Sequence, residues 1–244
     1  MNKLGEVFND KKAMIVFITC GDPDLETTRK MIEAVISHGA DIIILGIPFA
    51  DPTAEGYMIQ QSYLRALKNK LSVDQIIEFV RKLRVEIKIP LIFKTYANIV
   101  FNYGIESFLA ACKEIDINGL ILSDIPYEEK EEFQPLCRKY GIDLISMIVN
   151  APASRIQAII KDADGFVYTP STIDAEKIAT MVHQNSTLPC VLQSDSIRDI
   201  PQTGSFDGIM IDTLIIELLE KYGSASYKQI SNLQDLIQYL KKRR

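Results

Sequence analysis

The sequence has little of what metal sites and disulfide frameworks require: two histidines and four cysteines among 244 residues. The cysteines are Cys20, Cys112, Cys137 and Cys190. They are widely separated and form no CxxC pair, so neither a zinc site nor a set of disulfides is indicated. We therefore expect buried free thiols and no metal. His38 and His183 fall on helical stretches away from strand ends, and we expect both at the surface.

Positively charged residues are fewer than negatively charged ones: 27 Lys and Arg against 32 Asp and Glu give a net charge of −5. A field of this sign repels phosphate backbones, so nucleic acid is not an expected partner. The polar start lacks the apolar core of a signal peptide, and no later apolar run approaches the length of a membrane span. We expect a cytoplasmic protein without a membrane partner.

No Gly-, Ser- or Pro-rich linker divides the chain, and we expect one domain over residues 1–244. Short runs rich in Ile, Val and Phe alternate with amphipathic stretches, which indicates βα units around a parallel sheet. The eight predicted strands are Met14–Thr19, Asp41–Leu45, Pro90–Tyr96, Gly119–Ser123, Asp143–Val149, Gly165–Thr169, Leu188–Gln193 and Gly208–Asp212.

Eight βα units in a chain of this length predict a (β/α)8 TIM barrel, an α/β fold with a parallel eight-stranded core. The alternative is a doubly wound open sheet, but the glycine-rich first loop of a dinucleotide-binding fold is absent. Apolar residues at helical spacing predict helices over Leu25–His38 and Val73–Val85. Tyr227–Arg244 has the same spacing and ends in four cations, which indicates a C-terminal closing helix.

In such a barrel the chemistry lies in the loops after the carboxyl ends of the strands. The most informative of these loops follows strand two, at Gly46–Gln60. It is too rich in Gly, Pro and acids for a helix and too long for a plain connection. Loops of this kind usually serve a site or an interface.

This loop carries a motif whose companions lie at other strand ends. Gly46-Ile47-Pro48-Phe49-Ala50-Asp51-Pro52, with Glu55-Gly56 and Ile59-Gln60, resembles the signature of the tryptophan synthase alpha subunit family. The family has further motifs after strands one, three and four. Their counterparts here are Thr19-Cys20-Gly21-Asp22-Pro23, Tyr96-Ala97-Asn98 with Phe101-Asn102-Tyr103-Gly104-Ile105, and Ser123-Asp124-Ile125-Pro126-Tyr127-Glu128-Glu129. Because the four motifs occur in the family's order, the chain resembles a divergent member of this barrel family.

The resemblance implies aldol cleavage of indole-3-glycerol phosphate to indole and glyceraldehyde 3-phosphate, without a cofactor, and transfer of indole to a partner beta subunit. The family's acid/base glutamate at the end of strand two corresponds to Ile44 here. An aliphatic side chain supplies none of the ~10²–10⁴-fold that general acid/base catalysis contributes. The family's loop aspartate, which holds the indole nitrogen, corresponds to Glu55, the remaining candidate catalytic residue.

Barrels that bind phosphate usually do so with the loops after strands seven and eight. Where the family has glycines, this chain has Ser194-Asp195-Ser196 and Asp212-Thr213. Asp195 and Asp212 would repel a phosphate dianion, and each lost glycine hinders close approach of the backbone. The simpler interpretation is that both aspartates cap the following helices. Either interpretation disfavours phosphate here.

Other side chains are expected to line the barrel mouth and contact a small-molecule ligand. They are Phe17, Lys94, Tyr96, Ser123 and Tyr168, although the aromatic rings equally suit core packing. Lys94 lies two positions before Tyr96 on the same strand face, where the family is usually apolar. A desolvated lysine there can form a Schiff base with a carbonyl substrate. The simpler interpretation is a structural lysine paired with Glu55 or Asp124.

The loop after strand six, Tyr168–Asp174, runs almost directly into the next helix, whereas the family carries a long mobile lid there. These departures predict a paralogue that has lost or greatly weakened the lyase activity. It would bind a non-phosphorylated ligand or act through protein contacts. One alternative is a working alpha subunit in which Glu55 takes over proton transfer. The other is a non-catalytic scaffold that binds a beta-like subunit through the Asp51-Pro52 loop.

Overall fold

The computed structural model describes residues 3–9, 11–195 and 204–222, and in them nine parallel strands form one sheet. The strands are β1 Ala13–Thr19, β2 Ile42–Gly46, β3 Leu91–Thr95, β4 Gly119–Leu122, β5 Asp143–Leu144, β6 Ser146–Met147, β7 Val167–Pro170, β8 Cys190–Ser194 and β9 Gly208–Ile211. Their order is β5-β4-β3-β2-β1-β9-β8-β7-β6. The predicted barrel of parallel strands is confirmed.

The fifth predicted strand, Asp143–Val149, differs from the prediction because it changes partner at its middle. Its first part, β5, pairs with β4, whereas its second part, β6, pairs with β7. Ile145 joins the two parts, and its N–H donates to Leu120 O at 2.9 Å. The two ends of the sheet are therefore successive pieces of one strand, and the ring closes through the chain at Ile145.

Helices alternate with the strands along the described chain. They are α1 Lys3–Glu6, α2 Leu25–Ser37, α3 Tyr57–Leu67, α4 Val73–Leu83, α5 Ala97–Tyr103, α6 Ile105–Glu114, α7 Gln134–Tyr140, α8 Ala153–Lys161, α9 Ala175–Asn185 and α10 Thr213–Tyr222, with a 3₁₀ helix at Tyr127–Glu132. The predicted closing helix, Tyr227–Arg244, lies outside the described residues. Within the described ranges, no helix has the length and apolar character to cross a membrane.

Helices α2 and α4 confirm the predictions for these segments, and side-chain caps define where they begin. Asp24 accepts the N–H of Thr27 at the start of α2, and Ser72 forms a capping box at the start of α4. The prediction that the loop after β2 stays non-helical to Gln60 is wrong. Helix α3 begins at Tyr57, because the turn-forming residues end at Gly56 and apolar side chains then recur at helical spacing.

The apolar core has two layers, because each strand residue points either into the barrel or towards the helices. Ile15 and Ile44 belong to the inner layer, whereas Val16 and Ile43 pack against the helices. The buried free thiols are confirmed for all four cysteines. Burial raises the pKa of the Cys20 thiol to about 12, so it stays protonated at neutral pH.

A buried carboxylate joins the loop after β1 to two helices. Asp22 is 1% exposed and accepts hydrogen bonds from Nε and Nη2 of Arg65, each at 2.8 Å. Arg65 lies on α3, and its Nη1 also donates to Glu220 of α10 at 2.6 Å. Burial raises the pKa of Asp22, and the hydrogen bonds from Arg65 oppose that rise. The bidentate pair therefore fixes this loop against the outer helices.

Replacing Arg65 tests this link. Arg65→Met keeps the apolar stem but leaves Asp22 buried without its cation. We expect a loss of ~3 kcal/mol in the free energy of unfolding, the low end for a broken buried pair, because Arg65 is partly exposed. Urea denaturation followed by circular dichroism measures this loss. Arg81→Met, which removes the exposed pairs with Glu78 and Glu114, is the matched control at below ~1 kcal/mol; equal losses would contradict the assignment.

Candidate functional site

The barrel mouth is built from the carboxyl ends of the strands. Gly46 at the end of β2 lies opposite Lys94 on β3, and Lys94 lies opposite Ile121 on β4. Ser123 and Asp212 directly follow β4 and β9. The parallel register therefore brings polar side chains from distant parts of the chain to one end of the barrel.

Three predicted site residues form one buried group, which we call the Lys94–Glu55–Ser123 cluster. Lys94 Nζ lies 2.7 Å from Glu55 Oε2, and Ser123 Oγ donates to Glu55 Oε1 at 2.6 Å. The side chains of Lys94 and Glu55 are 8% and 5% exposed. Of the two predicted partners of Lys94, the structure selects Glu55, while Asp124 accepts the N–H of Ala97 at the start of α5. Both carboxylate oxygens of Glu55 are therefore engaged.

The loop after β2 holds Glu55 in place through its own backbone and one tyrosine. The N–H of Glu55 donates to Pro52 O at 3.1 Å, which closes a tight turn. The hydroxyl of Tyr96 accepts the N–H of Ala54 at 2.9 Å. The Tyr96 ring also stacks on Phe49, with the ring centroids 4.8 Å apart. Tyr96, predicted to contact a ligand, thus also anchors the loop that carries Glu55.

Ile44 lies below the mouth, inside the barrel. It is 0% exposed and lies opposite Phe17 on β1 and Ile92 on β3. Its surroundings are apolar, and its side chain has no group that exchanges a proton. Of the two carboxylate positions that the family resemblance implies, only the one at Glu55 carries a carboxylate.

A buried phenol lies close to the cluster. Tyr63 of α3 is 0% exposed, and its hydroxyl makes no hydrogen bond within the described residues. Burial raises its pKa well above the usual value, and the charge of Glu55 adds to the rise. A Cβ at Gly46 would lie 2.6 Å from Phe17 Cζ and 3.2 Å from the Tyr63 hydroxyl, so this strand end requires glycine. The Phe17 ring also lies 5.3 Å from Lys94 Nζ.

Two carboxylates stand at the ends of β8 and β9. Asp212 is 1% exposed and accepts hydrogen bonds from Gln193 Nε2 and the Thr213 N–H, both at 2.6 Å. The Thr213 hydroxyl donates to Asp195 at 3.0 Å. Burial raises the pKa of Asp212 to about 6; Lys94 opposes this rise and Asp195 adds to it. Asp212 forms no ion pair within the described ranges, so it is a buried carboxylate held by neutral donors alone.

The remaining predicted positions of these two loops occupy varied environments. Ser194 is buried at the end of β8, Thr213 is half-buried and begins α10, and Asp195 is exposed. Ser196 lies outside the described residues, as does the segment that Asp195 would cap. Asp212 precedes α10 and bonds to the N–H of its first residue. Across the described ranges, no three His, Cys, Asp or Glu side chains are grouped to hold a metal ion.

A cavity of about 240 Å³ opens beside the cluster. Its wall includes Ser123, Ile121 and Tyr168, and most of the other lining side chains are apolar. The cavity lies where strand five changes partner, because β4 has no strand beside it beyond Leu144. Tyr168 is 5% exposed, and burial followed by the charge of Glu55 raises its pKa. Its hydroxyl makes no hydrogen bond to a described residue and is available to a ligand.

The other predicted features lie at the rim or away from it. Asp51 is exposed and Pro52 buried in the loop after β2. Helix α9 begins at Ala175, shortly after β7 ends, so the connection is as short as predicted. His38 is half-buried at the end of α2, whereas His183 is exposed on α9, and neither belongs to the mouth.

Two polar residues of the site, Tyr63 and Gln193, were not among those predicted from the sequence. Tyr63 gave no signal, because a tyrosine among the apolar positions of a helix is indistinguishable from core packing. Gln193 gave a detectable signal, because it is a polar residue on an inward register position, opposite Met210 at the end of a buried strand. Its amide is the side-chain donor that holds Asp212 in place.

The burial of Asp212 predicts a pH-dependent stability. The unfolded chain releases this proton near pH 3.8 and the folded chain near pH 6, so stability is lost as the pH rises between these values. The loss amounts to ~3 kcal/mol. Asp212→Asn removes this pH-dependent loss. In urea unfolding, the free energy of unfolding of the variant relative to that of the wild type should therefore be higher at pH 7 than at pH 4. A difference between the two proteins that is independent of pH would contradict this reading.

Sequence comparison places the chain beside one family. The family model of the tryptophan synthase alpha chain matches residues 6–206. A tryptophan synthase alpha chain from Lacticaseibacillus casei is 37% identical over 235 residues, which cover 91% of this chain and 88% of that protein. A second, from Alkaliphilus metalliredigens, is 38% identical over 230 residues, which cover 86% and 85%.

Solved structures share the fold. A chain from Aquifex aeolicus gives a TM-score of 0.90 at 29% identity and covers 100% of this chain and 99% of its own length. A tryptophan synthase subunit alpha from Legionella pneumophila gives 0.88 at 26% identity, with 100% and 98% covered. A chain of a tryptophan synthase complex from Pyrococcus furiosus gives 0.85 at 24% identity, with 95% and 98% covered, which shows the common fold alone.

Proposed function

Because this chain belongs to the tryptophan synthase alpha chain family, we propose that it is a divergent paralogue that no longer cleaves indole-3-glycerol phosphate. The family reaction is an aldol cleavage that releases indole and glyceraldehyde 3-phosphate. It requires a group that moves a proton, a polar partner for the indole nitrogen, and a phosphate site. For each of these three requirements, this chain carries a different residue from the one that the family has at that position.

The main support for the proposal is that both carboxylate oxygens of Glu55 already have a partner. Its two oxygens lie 2.7 Å from Lys94 Nζ and 2.6 Å from Ser123 Oγ. An indole N–H would have to displace one of these partners, and separating Glu55 from Lys94 would leave two buried charges unpaired. The second carboxylate position is Ile44, which is aliphatic and 0% exposed. Neither position therefore offers a free carboxylate to the substrate.

The charge distribution of the mouth opposes a phosphate group. Lys94 is the cation of the cluster, and Glu55 already neutralises it. Asp195 and Asp212 stand at the loops after β8 and β9, linked through the Thr213 hydroxyl. A phosphate dianion would meet like charges there and no unpaired cation of the described residues.

We infer that the mouth instead holds a non-phosphorylated small molecule. The cavity of about 240 Å³ combines mostly apolar walls with Ser123 and Tyr168. Lys130 and Arg155 also line it, and both are paired with acids, Asp162 and Glu128. Such a mixture of apolar surface and a few convergent polar groups is typical of small-molecule sites. The absence of a long lid after β7 leaves this end of the barrel without the segment that would close over a larger substrate.

A scaffold role is the second candidate, because exposed apolar side chains stand near the mouth. Tyr57 after the β2 loop, Met147 on β6 and Ile173 after β7 are 70%, 45% and 101% exposed. Exposed apolar surface of this kind marks protein contacts when it is contiguous. A beta-like subunit that contacts the Asp51-Pro52 loop would co-elute with this chain in size-exclusion chromatography at micromolar concentration.

Titration and turnover of the family substrate test the main proposal. We expect calorimetry to show no binding of indole-3-glycerol phosphate or glycerol phosphate, and a single-turnover assay to show no indole, with or without a beta subunit. The double variant Asp195→Asn/Asp212→Asn removes the like charges and should show phosphate binding that the wild type lacks.

Indole release by the wild type would overturn the proposal. Glu55→Gln then identifies the alternative, because a working subunit that uses Glu55 for proton transfer would lose ~10²–10⁴-fold in rate with this substitution. Glu128→Gln, which removes an exposed carboxylate that pairs with Arg155, is the matched control and should leave the rate unchanged.

A further inference from the structure

We propose that Lys94 forms a Schiff base with a small, unphosphorylated aldehyde or ketone, and that Glu55 carries the protons for this step. The inference rests on the proposed function, since it names the class of molecule that the mouth accepts. It depends on the contacts of Lys94, on the route for its proton, and on the space beside it.

Lys94 is placed as a buried nucleophile with one partner. It is buried, and among the described residues its ammonium group donates a hydrogen bond to Glu55 Oε2 alone. The Phe17 ring lies 5.3 Å away on another side. Lys130 is also buried, but its shortest hydrogen bond is to the backbone carbonyl of Asp162, at 2.8 Å. Its carboxylate partner, Asp162 Oδ2, lies farther away at 3.3 Å and is half-exposed, whereas the carboxylate beside Lys94 is closer and buried.

The proton route is complete within the cluster. Lys94 transfers a proton along the 2.7 Å bond to Glu55, and the neutral amine attacks the carbonyl carbon. A second nitrogen proton moves to the former carbonyl oxygen, which gives a carbinolamine. Glu55 then protonates that hydroxyl, the C–O bond breaks, and water leaves with the oxygen. The product is a protonated imine on Lys94 beside an ionised Glu55.

This series of proton transfers and bond changes leaves the number of buried charges unchanged. The ammonium of Lys94 is replaced by an iminium of the same charge, and Glu55 returns to its carboxylate form. The ion pair is therefore present before and after the reaction, so no unpaired charge is left in the apolar mouth. The bond from Ser123 to Oε1 holds the carboxylate so that Oε2 stays directed at Nζ.

The cavity adjoins the cluster at Ser123, and it is the space that the carbonyl compound would enter. Ile121, the register partner of Lys94, and Ser123, the partner of Glu55, both line it. The hydroxyls of Ser123 and Tyr168 suit a ligand that carries hydroxyl groups of its own. Of the described residues, the two cations that line the cavity are Lys130 and Arg155. Each is already paired with an acid, so neither is free for a phosphate or carboxylate group. Small hydroxyaldehydes and hydroxyketones meet all of these conditions.

Reductive trapping tests the proposal on the full chain. The protein is incubated with glyceraldehyde and cyanoborohydride, and the modified lysines are mapped by peptide mass spectrometry. We expect Lys94 to be modified at least ~10-fold faster than Lys130 or any exposed lysine, and glyceraldehyde 3-phosphate to react more slowly than glyceraldehyde. Modification spread over exposed lysines, with Lys94 untouched, would overturn the proposal.

Two variants keep the result interpretable. Lys94→Arg retains a cation beside Glu55 but forms no imine, so we expect a folded protein, checked by circular dichroism, that is no longer trapped at this position. Glu55→Gln removes the proton carrier and should slow trapping at Lys94 by ~10²-fold, whereas Glu128→Gln should not. Trapping that is unchanged in Glu55→Gln would refute the role of Glu55. Indole release is a separate readout, so failure of the proposed function and failure of this inference are distinguishable.

Discussion

The buried ion pair between Lys94 and Glu55 is the interaction on which the barrel mouth depends. Each charge is more than nine-tenths buried and requires the other, because an isolated charge in this apolar environment would be strongly unfavourable. The pair joins strand β3 to the loop after β2, and the hydroxyl of Ser123 extends it to β4. The pair thereby fixes the loop after β2, engages the carboxylate of Glu55 and neutralises the charge of Lys94.

The proposed function follows from that one pair. We propose that a carboxylate with both oxygens engaged does not hold an indole nitrogen, and that a neutralised lysine does not attract a phosphate. Asp195 and Asp212 then determine the sign of the remaining charge near β8 and β9. In the function we propose, the contact that withdraws Glu55 from the family reaction also places a proton acceptor against a lysine, which is the arrangement that imine formation needs.

The barrel architecture was predictable because it depends on periodicity, which is a local property of the sequence. Buried strands of Ile, Val and Phe alternate with amphipathic helices, and the structure follows that pattern closely. The break in strand five was not predictable, because Asp143–Val149 reads as one apolar run and the change of partner depends on how the ring closes. The partner of Lys94 was limited to two acids but not decided, because Glu55 lies 39 residues away and its position depends on the loop. Tyr63 could not be predicted as a site residue for the same reason, because its environment is formed by other elements of the fold.

A double-mutant cycle measures how strongly Lys94 and Glu55 depend on each other. The free energy of unfolding in urea is measured for the wild type, Lys94→Met, Glu55→Gln and the double variant. Each single variant should lose ~3–5 kcal/mol, because it leaves one buried charge unpaired. The double variant should lose much less than the sum, since no charge remains to be paired. Losses that simply add would show that Lys94 and Glu55 do not depend on each other, and that the barrel mouth is not held together by this pair.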